Sequence, residues 1–285
     1  MARAYVLLGF TFFLMQMHIT GSISKYINMK YSYLSLTAGI LFAFLTIIQV
    51  IHTFKTSDQD HDHDHECNHT CDHGHVHKES KGIRKVLNGI IFLFPLITGI
   101  FLPIASLDST IVQAKGFHFP VSEPDNNDPF MQRQYLKPDL SIYYGQEGYQ
   151  KLIDKESKEY INKDHIVLND QDFLKGMEVL YDEPGHFIGK KITFKGFIYK
   201  EKGLNENQLF LFRFGIIHCV ADSGVYGLLI NLPDHQSFDN DQWVEATGVI
   251  KEMYYQPFKV NIPYIEVTET KMIEPPNNQY VYRNK

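Results

Sequence analysis

The chain has 285 residues, 44% hydrophobic and 21% charged, with a formal net charge of -6 and three cysteines. So few cysteines exclude a disulfide framework, and the mild acidity offers nucleic acid no basic footprint. The averages conceal a partition: residues 4–23, 31–54 and 86–107 together hold 66 residues without one Asp, Glu, Lys or Arg, which excludes a chain soluble throughout.

A helix rising 1.5 Å per residue needs about 20 predominantly apolar residues to cross the hydrocarbon core, and each window meets that length. Three transmembrane helices are therefore predicted, two within residues 1–54 and a third at 86–107. The first window follows Arg3 and ends at Gly21, Ser22 and Ser24, so it also has features of a cleaved signal sequence. The third carries Pro95, Pro103, Gly89 and Gly99, which predicts a kink whose freed carbonyls need a neighbouring helix. Arg3, Lys55, Lys78, Lys81, Arg84 and Lys85 lie on one side of this arrangement against Lys25 and Lys30 on the other. The positive-inside rule then places the N-terminus and residues 55–85 in the cytoplasm and everything after residue 107 outside. His18 and His52 sit in the first two windows; each reads either as a pathway residue or as a polar group snorkelling at a membrane edge.

Residues 58–77, DQDHDHDHECNHTCDHGHVH, contain seven histidines, two cysteines and six acidic residues, so 15 of 20 positions are potential ligands. Imidazole and thiolate suit Zn²⁺ and its late first-row neighbours, and the interleaved carboxylates add negative potential and acceptors for the second imidazole N–H. The candidate ligands are His61, His63, His65, Cys67, His69, Cys71, His73, His75 and His77. No single motif fixes four of them, which predicts a weak or multi-ion site. The competing reading is a polar linker whose histidines are a compositional accident.

Residues 108–285 carry a net charge of -7 and are long enough for one compact domain. Prolines 120, 124, 129 and 138 mark residues 108–168 as an extended linker, leaving 169–285 as the folded part. Asp170 is placed to cap a short lead-in helix over residues 173–181, ended by Pro184 and Gly185. Strand patterns follow at 191–199, 209–217, 226–231, 243–250 and 262–267. Five short strands with Gly196 and Gly248 inside them predict a mainly-β, OB-like small barrel, with a sandwich as the alternative.

Within RFGIIHCVADSGVYGLLI the residues Arg213, Phe214, His218, Cys219 and Asp222 stand together. His218, Cys219 and Asp222 offer N, S and O ligands to a metal, and Cys219 alone could serve as a redox thiol. The plainer reading makes Cys219 a small buried hydrophobe and Asp222, followed by Ser223 and Gly224, a turn former.

FPLITGIFLP, AKGF, FKGFIYK, RFGIIHCVADSGVYGLLI and DQWVEATGVI together resemble the YcgQ-type permease subunit family of Gram-positive bacteria. The resemblance runs the length of the chain and implies a multi-pass cell-membrane protein working beside a separate multi-span permease. It also implies paired cysteines where this chain has His218 and Cys219, so an ion held there needs the histidine.

The reading that follows is an accessory subunit of a permease linked to transition-metal transport or homeostasis, with Zn²⁺ as the ion. Its partners are the lipid bilayer, a separate permease subunit and transition-metal ions, with no nucleic acid. The alternative is a membrane-anchored scaffold or solute- or protein-binding module with an incidental histidine-rich linker. No Gly-rich phosphate loop, GxSxG, HExxH or readable carboxylate pair supports an enzyme.

Overall fold

The computed structural model describes residues 2–57, 83–102, 107–117, 145–233, 236–257 and 259–283. The chain divides into two compact units, one of Met1–Ser24 and Met29–Ala105 and the other of Lys25–Asn28 and Ser106–Lys285.

The first unit holds three helices, α1 (Ala2–Ile19), α2 (Ser32–Ser57) and α3 (Ile83–Phe101). Ile40, Phe44 and Ile51 of α2 point outward, as they must along a helix surrounded by hydrocarbon, and Phe12 of α1 and Phe94 of α3 are exposed as well. Glycines permit close approach of the helices. A Cβ on Gly99 would stand 2.7 Å from the Phe13 ring, and one on Gly9 would stand 2.8 Å from a Leu96 methyl. Phe10 and Phe42 stack at 5.7 Å, and His18 Nε2 shares a 2.9 Å hydrogen bond with Ser35 Oγ.

Among the described residues, the three membrane spans predicted from charge-free windows are corrected to one. Met29–Lys55, at 27 residues, is long and apolar enough to cross a membrane, whereas the apolar helical stretches Arg3–Ile19 and Gly89–Phe101 are shorter. The windows counted residues outside the helices. Gly21 turns the backbone to φ 70 beyond α1, and a 3-10 turn follows at Ser22–Lys25, while Leu102 already lies past the end of α3.

The second unit comprises α4 (Ser109–Lys115), α5 (Gln146–Ile161), β1 (His165–Leu168), α6 (Phe173–Asp182), β2 (Lys191–Tyr199), β3 (Gln208–Ile216), β4 (Gly224–Asn231), β5 (Trp243–Tyr255), β6 (Val260–Met272) and β7 (Tyr280–Tyr282). Residues 108–168, read as an extended linker, thus contain α4, α5 and β1 among the described residues. The strands form one sheet in the order β1-β2-β5-β6-β4-β3-β7, with β2 also paired to β3. β1–β2, β4–β6 and β3–β7 run parallel and the other pairs antiparallel.

The sheet is seven-stranded and mixed, where a five-stranded OB-like barrel was expected from the sequence; the five predicted strands pair in a ring, β2–β3–β4–β6–β5 and back to β2, and β1 and β7 extend it. The five predicted strands are present, but β1 and β7 span only four and three residues, too short to leave an alternation signal. Parallel pairing joins segments far apart in sequence and has no local turn signature. Gly248 marks a bulge between β5 and β6, where a Cβ would meet the Glu266 carbonyl at 2.2 Å. Phe194, Phe210, Phe212 and Phe214 fill the core with Leu174 and Met177 of α6.

Asp170 does not cap α6. Its carboxylate pairs with Arg213, and Asn169 Oδ1 instead accepts from the N–H groups of Gln171 and Asp172 at 2.9 and 3.1 Å. Arg213 is drawn to that carboxylate because its own side chain is 1% exposed and lies between the rings of Phe173 and Trp243, at 5.7 and 5.2 Å from their centroids. Burial lowers the Arg213 pKa, and the Asp170 bond opposes that shift.

Candidate functional site

β3 ends at Ile216, and Ile217, His218 and Cys219 leave the sheet before a 3-10 turn at Val220–Asp222. Asp222 organises this corner. Its carboxylate accepts the backbone N–H of His218 at 3.0 Å and of Cys219 at 2.9 Å, and stands 2.9 Å from His218 Nδ1. The Asp222 N–H donates to the Cys219 carbonyl at 3.0 Å, closing the turn reciprocally. The sequence reading thus grouped the three residues correctly in space, while Arg213, grouped with them in the same motif, is buried against Asp170, Phe173 and Trp243.

Against a metal ion, the donor set fits only in part. Asp222 spends both oxygens on donors of its own turn, and among the described residues no three His, Cys, Asp or Glu gather where they could hold an ion. His61, His63, His65, Cys67, His69, Cys71, His73, His75 and His77 lie outside the described residues.

The turn has a partner that sequence inspection missed. Lys25–Asn28, the stretch just before the apolar helix, belongs to the sheet unit. Ile27 forms an antiparallel bridge with Cys219, the Val220 N–H donates to the Tyr26 carbonyl at 2.7 Å, and the Asn28 N–H donates to the His218 carbonyl at 2.9 Å. The Asn28 side-chain amide adds a 3.0 Å bond to the Ile217 carbonyl, and Asn28 is only 4% exposed. The one signal available was an Ile–Asn pair in an otherwise polar turn, and nothing in a single sequence says what such a pair would face.

A second segment is held nearby. The Leu107 N–H donates to the Tyr280 hydroxyl at 3.0 Å, and Ser109 donates through its N–H and hydroxyl to the two oxygens of Asp241 at 2.8 and 2.6 Å. Asp108 caps α4 through the N–H groups of Thr110 and Ile111. Phe117 then inserts edge-on against Phe210 and Phe212 at 4.6 and 5.1 Å. Burial pushes the Tyr280 phenol pKa up, and nearby Asp108 and Tyr26 push it the same way, against the Leu107 bond. Tyr280 on β7 is therefore close to both segments, and Arg283, just beyond it, pairs with Glu156 of α5 at 2.8 Å and with Glu178 of α6.

Two family matches cover most of the chain: the DUF1980 N-terminal domain over residues 2–118 and the DUF1980 C-terminal domain over residues 143–283. The chain is 48% identical over 285 residues to "UPF0703 protein YcgQ" of Bacillus subtilis (strain 168), covering 99% of both chains. It is 33% identical over 287 residues to the "Putative two-component membrane permease complex subunit" of Streptococcus mutans serotype c (strain ATCC 700610 / UA159), again over 99% of both. With its apolar helix Met29–Lys55 it is a membrane protein, and the chain belongs to the YcgQ family, built from the two DUF1980 domains.

Proposed function

We propose that this chain is the membrane-anchored accessory subunit of a permease complex whose histidine-rich segment collects Zn²⁺ or a related ion. The observation that carries the reading is the docking of Lys25–Asn28 on the His218 turn. Asn28 is followed directly by Met29, the first residue of the apolar helix. The name of the Streptococcus mutans relative supports a separate permease as partner.

The metal link rests on the composition of residues 58–77, where neutral imidazoles and thiolates alternate with carboxylates. At the His218 turn the saturation of Asp222 favours the second reading, in which the sheet unit is a binding or scaffold module and its turn is structural.

Full-length tagged protein isolated from membranes in mild detergent is the test. Co-purification of a multi-span permease is expected, together with bound zinc by elemental analysis that disappears when the seven histidines and two cysteines of 58–77 are replaced by Ser. Absence of any permease sinks the subunit reading. Metal content unchanged by the replacement sinks the metal reading alone.

A further inference from the structure

We propose that the tip of the His218 turn, together with the Lys25–Asn28 strap docked on it, rests in the headgroup layer of the lipid bilayer. The inference stands on the apolar helix and the turn, and is independent of the permease and of any metal ion. The helix sets the depth. At 27 residues and 1.5 Å per residue, Met29–Lys55 is about 40 Å long, which matches a bilayer of about 40–45 Å measured through its headgroups. Met29 then belongs at headgroup level. Tyr26 stands three residues earlier, and three residues reach at most about 10 Å. The strap also follows the apolar stretch Arg3–Ile19, so it hangs between two segments that favour lipid.

The residues around the start of the helix have interface chemistry. Lys25, Tyr26, Lys30, Tyr31 and Tyr33 fall close together in sequence. Their rings and methylene chains can lie against lipid while phenol and ammonium groups meet phosphate and water. Lys30 Nζ lies 5.7 Å from the centroid of the Tyr31 ring, and Tyr33 is exposed.

The turn adds an apolar tip. The Val220 N–H donates to the Tyr26 carbonyl at 2.7 Å, so the two residues are neighbours, and both are exposed, at 36% and 37%. Ala221 is exposed beside them. One exposed apolar side chain is ordinary, but the tip of a tight turn in water is commonly Gly, Asn, Asp or Ser. Here the acidic member of the turn faces inward, since the Asp222 carboxylate accepts the N–H groups of His218 and Cys219. Two consecutive apolar residues are left at the tip next to a tyrosine, an arrangement that lipid favours over water.

The strand that leads to the turn supplies an internal control. β3 has nine residues at about 3.3 Å each, so about 30 Å of strand separates the turn from the exposed Glu206 ahead of it. The full chain, with Cys67→Ser, Cys71→Ser and Cys219→Ser, is placed in nanodiscs of phosphatidylglycerol and phosphatidylethanolamine. A nitroxide is attached at Val220→Cys, Ala221→Cys or Glu206→Cys. Its collisions with oxygen, which concentrates in lipid, are compared with those of a water-soluble nickel chelate. The oxygen-to-nickel ratio is expected to be several-fold higher at positions 220 and 221 than at 206. Equal ratios at the three positions overturn the proposal. Shielding of 220 and 221 from both reagents overturns it as well, because protein and not lipid then covers the tip. Should Val220→Cys disturb the turn, Ala221→Cys decides alone.

Discussion

The helical unit turns Phe12, Ile40, Phe44 and Ile51 outward, whereas the sheet unit buries its aromatics and takes Arg213, Glu156 and Glu178 in with them. The difference follows from solvent. In hydrocarbon an apolar side chain on α2 gains nothing by turning inward, and α1 and α3 meet by fit, as at Gly99 against Phe13. In water the aromatics are driven inward, and a charge trapped among them must find a partner. Specific polar bonds should therefore matter far more in the sheet unit than any one contact does in the helical unit.

Arg283→Ala is the most severe way to break that contrast. It leaves Glu156 and Glu178, with side chains 11% and 1% exposed, without their shared cation, and should cost the sheet unit about 3–5 kcal/mol. Denaturant unfolding followed by Trp243 emission measures it; a loss below about 1 kcal/mol would show that water reaches these carboxylates and solvates them. Tyr181→Phe comes next. The buried hydroxyl donates to the Gly227 carbonyl and accepts from the Gly227 N–H, both at 2.7 Å. Gly227 holds φ 154 with its Cα side pressed on the Leu211 carbonyl. The expected loss is about 1–3 kcal/mol, accompanied by faster hydrogen exchange at the Gly227 amide; unchanged exchange there would refute the assignment. Gly99→Ala should have the smallest effect. The new methyl crowds Phe13, but alanine favours the helix, so the two terms offset to within about 1 kcal/mol. A larger loss in thermal melts of the detergent-solubilised chain would mean that the α1–α3 fit is as exacting as the sheet core.

What could be read from the chain before folding was local. Strand β2 is found at the predicted Lys191–Tyr199, and the other four predicted strands overlap β3 to β6, because alternation and β-branched residues act over neighbouring positions. α6 was readable too, but its cap was not: Asp170 prefers Arg213, a residue on another element that periodicity cannot locate. The charge-free windows marked apolar segments but overstated them as spans, since composition does not say where a helix stops.

The candidate site divides in the same way. His218, Cys219 and Asp222 are close in sequence, so their common turn could be foreseen. The pairing of Ile27 with Cys219 could not, nor could the placing of Asp108 beside Asp241 and Trp243. The sequence by itself determined the apolar helix, the ligand-rich segment at 58–77 and five of the strands, because hydrophobicity and local alternation are properties of consecutive residues. Only the tertiary structure decided which carboxylates pair with buried arginines, as Asp170, Glu156 and Glu178 do, and which accept from amide and hydroxyl donors, as Asp241 does, because such a pair is a property of distance between residues far apart along the chain.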